Sequence, residues 1–309
     1  MILVIGGTGT TGHALLQRLA ALGVPARALV RPAGPFGPVP AAPDPVTPPR
    51  PRPDLTRLPG VEPVPGDVDD PAALATALEG VSRVFLAMGN GPRQLDRELA
   101  VVRAAATAGV DRLVKVSAPV VGPDVPVAVA RVHHAVERAV VGTGLGHTFL
   151  RPYAFQQNLL ASAGRIAATG SFTGTSGDTP MNMVDVRDVA DVAAVALTDA
   201  RPHGEALVLT GPEAVSLPEV ARRLTRLGRP TRHRTVTAAA YRDELRGGGL
   251  PAWLVEHLVE IQALAVGRPE RPDDTVERVT GRAARRLDDF LIEHLPLFGG
   301  PIVAPRPAA

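Results

Sequence analysis

Residues 2–22, ILVIGGTGTTGHALLQRLAAL, decide the fold. Ile2–Ile5 is a short apolar, β-branched run and reads as a buried strand. Gly6, Gly7, Gly9 and Gly12 follow within seven residues. Leu15, Leu16, Leu19 and Leu22 then recur at helical spacing, which predicts a helix over Thr11–Leu22. A strand, a glycine turn and a helix in this order form the opening of a dinucleotide-binding unit. Gly6 permits the tight turn, Gly9 lets backbone approach a pyrophosphate, and Gly12 lets helix and strand pack closely. The helix N-terminus supplies amides and the positive end of the dipole. Thr8, Thr10 and Thr11 lie among these glycines and join them as candidate cofactor contacts. The competing reading is a ligand-free glycine turn.

The pattern continues downstream. Ala26–Val30, Val61–Val64, Val81–Met88, Leu113–Ser117 and His147–Leu150 read as strands. Pro71–Leu78, Gln94–Ala108 and Val127–Val141 read as the helices between them. This alternation predicts an α/β fold, a doubly wound parallel Rossmann sheet over residues 1–150. Pro32–Pro53, with ten prolines in 22 residues, interrupts it as an extended loop. Beyond residue 151 the signals are more helical. PMNMVDVRDVADVAAVALTD is a short strand and a helix, EALVLTG a strand, and SLPEVARRLTRLG a helix with serine at its start and glycine at its end. Thr231–Val236 reads as a late strand. We expect a smaller, mainly helical substrate-binding region over 151–300, interleaved with the core, and a flexible tail over 301–309.

Composition narrows the function classes. The chain has 309 residues and a net charge of +2. Its pI of about 9.6 comes from arginine, because Lys115 is its only lysine. Those arginines are spread along the chain and interleaved with acids, and aromatic residues make up only 3%, so no nucleic-acid partner is expected. No apolar run approaches the roughly 20 residues of a membrane span, so no membrane partner is expected. Cysteine is absent, which removes disulfides, thiolate zinc sites and a cysteine nucleophile. No charged-then-apolar leader precedes the first strand, so a cytoplasmic location is expected. Nothing in the sequence indicates an oligomeric state.

The second strand, ARALV, runs into Arg31, where an acid would receive the ribose hydroxyls of NAD. A guanidinium there suits the 2′-phosphate of NADP, so NADP (NADPH) is the expected cofactor; the alternative is a solvent-facing arginine. In GDVDD, Asp67 and Val68 are placed to border the adenine, or one of Asp67, Asp69 and Asp70 caps the helix at Pro71. A doubly wound sheet binds its ligand at the strand carboxyl ends. Met88, Gly89 and Asn90 after the fourth strand, and Ser117 and Ala118 after the fifth, are therefore candidates for the nicotinamide side.

MILVIGGTGTTG, the arginine after the second strand, GDVDD, LVKVSA, FLRPYAFQQNLL and DVRDVADVAAVAL together resemble the NmrA-like branch of the atypical short-chain dehydrogenase/reductases. The resemblance extends through LTGPEAVSLPEVARRL and VTGRAARRLDDFL, and the proline-rich insertion departs from it. It implies an NAD(P)-binding Rossmann fold with a small C-terminal substrate region. Members of that branch include quinone and enone reductases, pathway reductases and proteins that bind the dinucleotide as redox sensors.

Typical short-chain reductases carry a serine and then Tyr-x-x-x-Lys on the helix after the fifth strand. Ser117 is present, but VAVARVHHAVERAV has neither tyrosine nor lysine. Val129 occupies the tyrosine position, and His133 stands where related proteins often carry lysine, with Glu137 one turn on. His133 reads either as a group that touches the nicotinamide ribose or acts as an acid, or as a partly exposed histidine on an amphipathic helix. Adjacent His133 and His134 diverge on a helix, so no metal site is expected.

Tyr153 and Phe155 are placed to wall a flat substrate or to pack at a helix start, and Met183 either borders that substrate or, by default, packs in the core. Asn158, Asp185 and Asp188 read as caps or helix-orienting groups. His133, Tyr153 and Ser117 are the candidate catalytic residues, and all three are also candidates to touch the cofactor. Hydride transfer to a conjugated acceptor needs stacking more than a dedicated tyrosine. The expected activity is therefore NADPH-dependent reduction of a small, flat, conjugated carbonyl or quinone-like compound. The alternatives are a non-catalytic NADP(H) sensor, or a non-redox isomerase or cyclase on the same fold.

Overall fold

In β1 (Ile2–Ile5) all four side chains are buried, and this strand lies inside a seven-stranded sheet. The computed structural model describes residues 1–31, 53–199, 204–268 and 270–301. The other strands of this sheet are β2 (Ala26–Val30), β3 (Val61–Pro65), β4 (Arg83–Leu86), β5 (Arg112–Val116), β6 (Gly146–Pro152) and β10 (Glu205–Leu209). Their order is β3-β2-β1-β4-β5-β6-β10, and every pairing is parallel. This is the doubly wound Rossmann arrangement, with the order reversing between β1 and β4. The register sets Ile5 beside both Leu29 and Leu86, so the turns after β1, β2 and β4 leave the sheet together.

Helices α1 (Thr10–Ala21), α2 (Pro71–Leu78), α3 (Gln94–Thr107), α4 (Ala128–Thr143), α5 (Ala163–Thr169) and α6 (Val186–Thr198) follow in chain order. Local chemistry fixes their starts. Asp70 accepts the amides of Ala72 and Ala73 at the head of α2, where Pro71 has no amide to lose. Asp185 accepts the Arg187 amide at the head of α6. One face of the sheet packs against α1 and α6 through Leu15, Leu16, Leu19, Val189, Val192 and Ala193. The other packs against α2, α3 and α4 through Leu74, Val101, Val102, Val136 and Val140. Each of these leucines and valines contributes roughly 1.5–3 kcal/mol by leaving water.

The chain after β6 serves two structures. β10 and α6 complete the large sheet and its helical layer. The rest is β7 (Ala154–Phe155), β8 (Ser171–Gly174), β9 (Met181–Val184), β11 (Ala214–Val215), α7 (Leu217–Arg226), β12 (Arg232–Thr235), α8 (Ala238–Gly247), α9 (Ala252–Ala265), α10 (Thr275–Thr280) and α11 (Leu287–His294). A second core of Leu160, Ile166, Phe172, Leu224, Phe290 and Phe298 holds much of it, and Tyr241, Leu245, Val255 and Val259 join α8 to α9.

Strand bounds differ slightly from the sequence reading. The fourth strand starts at Arg83 because Ser82 turns onto the Met1 carbonyl at 3.0 Å. The fifth ends at Val116, although the Ser117 amide still reaches the Leu150 carbonyl at 2.6 Å. Of the proline-rich loop only Pro53 is described, and of the tail only Pro301; the rest of both lies outside the described residues. Among the described residues no helix is long and apolar enough to cross a membrane.

Candidate functional site

The glycine turn comes first in the site. Gly6 has φ +85°, and a Cβ on it would lie 1.9 Å from the Ala87 carbonyl oxygen after β4. A Cβ on Gly12 would lie 2.3 Å from the Gly6 carbonyl oxygen. Both positions therefore require glycine: one for its left-handed backbone and close approach, the other for the packing of α1 on the turn. Gly9 starts α1 without a side-chain cap, and no acid stands in the first turn. Among the described residues no side chain claims the leading amides of α1, which carry the positive end of the helix dipole. Thr8 is half-buried, Thr10 exposed and Thr11 buried. The turn opens at the switch point of the sheet.

The adenosine-side candidates line the neighbouring strand ends. Arg31 directly follows β2 and is exposed. The three aspartates of GDVDD have separate roles. Asp70 is the cap, and Asp69 pairs with Arg93 at 3.0 Å and with Arg97 on α3. Asp67 accepts the Asp69 amide at 3.0 Å, and Val68 is buried.

At the ends of β5 and β6 the structure gathers two buried polar groups. In the first, Ser117 donates its hydroxyl to Glu137 at 2.6 Å, and Arg151 donates to both oxygens of the same carboxylate at 3.1 and 2.5 Å. In the second, Lys115 meets His133 Nδ1 at 2.9 Å and pairs with Glu98 on α3 at 2.8 Å. His133 is only 7% exposed, so it is a buried histidine rather than a partly exposed one on an amphipathic face. Burial and the adjacent Lys115 charge hold its pKa well below the ordinary histidine value, with His257 adding to the effect. Glu137 does not back His133; its carboxylate faces Ser117 and Arg151.

Met88 is half-buried, while Gly89 and Asn90 are exposed. Asn90 donates to His257 Nε2 on α9 at 2.9 Å, and Glu260 on α9 accepts the Ala128 amide at the head of α4 at 3.0 Å. Helix α9 is thereby tied across the strand ends beside His133. Ala118 follows Ser117 and is half-buried.

Tyr153 follows β6, and its amide donates to the Leu209 carbonyl at the end of β10. Its pKa is raised by burial and by Glu270 nearby. Glu270 accepts the Asn182 amide at 2.6 Å, and its own pKa is raised by burial. Phe155 is half-buried, Asn158 exposed and Met183 buried in the second core. Asp188 is not a helix cap: its carboxylate accepts the Arg285 amide at 2.8 Å and the Arg285 side chain. Among the described residues no cluster of three histidines or carboxylates is placed to hold a metal ion.

Sequence reasoning had no part for Lys115, Glu98, His257 or Glu270. Lys115 did carry a signal: a lone lysine inside an apolar strand, two residues before Ser117 and so on the same strand face. The others depend on contacts between distant segments.

The chain is 35% identical to the NAD(P)H azoreductase of Xenophilus azovorans, covering 97% of this chain and 99% of that one. It is 38% identical to the (4-alkanoyl-5-oxo-2,5-dihydrofuran-3-yl)methyl phosphate reductase of Streptomyces griseus, over 96% and 99% of the two chains. A solved NADPH-dependent quinone oxidoreductase from Escherichia coli, complexed with NADPH, superposes with a TM-score of 0.80 at 25% identity, over 96% and 99% of the chains. The model of the NmrA-like family matches residues 1–290, and the chain belongs to that family.

Proposed function

We propose that this protein is an NADPH-dependent oxidoreductase that passes a hydride to a small, flat, conjugated carbonyl or quinone-like acceptor. The observation that carries the reading is the glycine turn, with uncapped helix amides, at the switch point of a chain that matches reductases along nearly its whole length. The turn fits the cofactor chemically, since a pyrophosphate needs close backbone approach and unclaimed amides. Gly6, Gly9 and Gly12, with Thr8, Thr10 and the amide of Thr11, would hold it. Arg31 would take the 2′-phosphate, and Asp67 and Val68 would border the adenine. Met88, Gly89, Asn90, Ser117, Ala118 and His133 would line the nicotinamide side. When bound, NADPH supplies the hydride.

Two residues then act on the acceptor, and a third holds the site in place. His133 gives a hydrogen bond from a neutral ring. Tyr153 forms a wall beside the acceptor, and Ser117 holds the end of β5 in place through Glu137. Residues 151–300 supply the substrate side, with Tyr153, His257 and Glu270 facing the strand ends. The named relatives reduce an azo compound, an oxo-dihydrofuran and a quinone, and conjugation is the property those acceptors share. A cysteine-free chain fits a reducing compartment, and we place the protein in the cytoplasm.

The test has two steps. NADPH and NADH are titrated against wild type and Arg31→Ala; NADPH preference that disappears with Arg31 supports the adenosine-side assignment. NADPH oxidation is then followed with quinones, azo dyes and unsaturated lactones. Turnover of any of these supports the reading. Tight binding without turnover shifts the assignment to a redox sensor, and failure to bind either cofactor overturns it.

A further inference from the structure

Lys115 is completely buried, and its ammonium has three neighbours: the Val116 carbonyl at 2.8 Å, Glu98 Oε2 at 2.8 Å and His133 Nδ1 at 2.9 Å. The first and third are hydrogen bonds and the second is an ion pair, and an ammonium has protons to give and no acceptor. Glu98 is equally buried, at 1% exposure, and its other oxygen accepts Gln94 at 3.1 Å. A buried ion pair costs desolvation and is weak evidence of a role in stability. What this pair does is directional. Lys115 can only donate, so His133 Nδ1 must accept, and the proton of the neutral ring sits on Nε2. Among the described residues Nε2 has no hydrogen-bond partner, and it is not among the fully buried polar atoms that lack one, so it stays open to a ligand.

We propose that Lys115, backed by Glu98, is a positioning residue that locks His133 as a neutral imidazole with its proton on Nε2, aimed as a hydrogen-bond donor at the acceptor oxygen where negative charge develops. The proposal rests on the reading that this cleft reduces a conjugated acceptor. The ring keeps its proton throughout; its part is a preorganised hydrogen bond.

The surrounding charges agree. His257 faces the ring from α9 and is itself occupied by Asn90. Glu260, also on α9, is held by the Ala128 amide. On α4 itself, Glu137 is engaged by Ser117 and Arg151, and His134 is half-buried. Lys115 is therefore the charged group bonded directly to the ring, and a cation there opposes a second positive charge on His133.

Nitrogen-resolved NMR of the protein labelled at histidine tests this without substrate. Wild type should show His133 with an unprotonated Nδ1 and a protonated Nε2, unchanged from about pH 5 to about pH 8, across the range where a free histidine titrates. Lys115→Met should convert this to a mixture of tautomers, and kcat should gain an inflection in the same range that wild type lacks. The Glu98→Gln/Lys115→Met double variant, which leaves no unpaired buried charge, should behave likewise.

A wild-type His133 that carries its proton on Nδ1, or that titrates with an ordinary histidine pKa, overturns the proposal. So does a double variant whose tautomer is unchanged. Because the tautomer is read on wild type alone, a poorly folded variant does not shelter the idea. Absence of NADPH oxidation would count against the function and leave the tautomer result standing.

Discussion

Ser117 and Glu137 are joined by a 2.6 Å hydrogen bond, and Arg151 clamps the same carboxylate from β6. One side chain on α4 thus ties together the ends of two neighbouring strands. Removing one member of a buried ionic group leaves the others without partners and typically costs about 3–5 kcal/mol. The Arg151 side chain is 24% exposed and regains some water. Glu137→Ala should therefore lose about 3 kcal/mol, at the low end of that range. Glu137→Gln keeps one acceptor oxygen and should lose about 1 kcal/mol. Denaturant midpoints at constant m-value measure both, and equal stability in all three proteins would remove this carboxylate from the account.

The glycines of the turn separate fold from binding. Gly12→Ala puts a methyl 2.3 Å from the Gly6 carbonyl oxygen, so turn or helix must move, and Tm should fall by several degrees. Gly9→Ala meets only the Gly6 carbonyl oxygen, at 3.2 Å, on ordinary extended backbone. That variant should keep its Tm and lose about tenfold in NADPH affinity, because its methyl stands where the pyrophosphate would approach. Calorimetry and a cofactor titration on the two proteins give the comparison. A Gly9→Ala protein that binds as well as wild type would place the cofactor elsewhere.

The turn was legible because its determinants are local. Gly6, Gly9 and Gly12 are constrained by atoms of the same turn and of β4, and the leucines of α1 show their period directly. The position of Arg31 directly after β2 was legible for the same reason. The buried groups were not. That Lys115 sits between Glu98 and His133 depends on how α3 and α4 pack on one face of the sheet, and no spacing between residues 98, 115 and 133 encodes it. The pattern VAVARVHHAVERAV left His133 open between a half-exposed and a functional position. The structure buries it against Lys115 of β5, a contact that depends on how α4 packs on the sheet. Asp69, Asp70 and Asp67 were separable only once Arg93 and Arg97 had been placed.

Two glutamates should give stability effects of opposite sign with pH. Burial raises the pKa of Glu270, opposed by the bond from the Asn182 amide. A carboxyl with a raised folded-state pKa favours the fold most when protonated, below its ordinary value of 4.5, and that contribution is lost as pH climbs through the folded value. Glu270→Gln should thus raise Tm slightly at neutral pH, and the gain should vanish below the ordinary value. For Glu219 the order is reversed. Bonds from Arg226, Arg222 and Arg223 lower its pKa to about 2, so its contribution is present above 4.5 and disappears as pH falls toward 2. These bonds are largely exposed, so Glu219→Gln should lose only about 0.5 kcal/mol at neutral pH. Thermal melts of both variants across acid and neutral pH test the signs, and parallel shifts in the two proteins would contradict them.

Helix α9 is fastened over the strand ends by two contacts, Asn90 to His257 at 2.9 Å and Glu260 to the Ala128 amide at 3.0 Å. Its own fold does not depend on them. Val255 and Val259 are buried against Tyr241 and Leu245 of α8, and that cluster stays intact if either fastening is cut. Asn90 is exposed and His257 half-buried, so the bond between them adds little to global stability. It fixes where α9 sits relative to the acceptor. Asn90→Ala should therefore raise the KM for the acceptor by about tenfold, equivalent to ~1.4 kcal/mol, with kcat and Tm nearly unchanged. Glu260→Ala should act in the same direction, and the double variant should show less than the sum because both changes release one helix. A fall of several degrees in Tm with KM unaltered would make α9 a structural prop instead of a wall of the acceptor site.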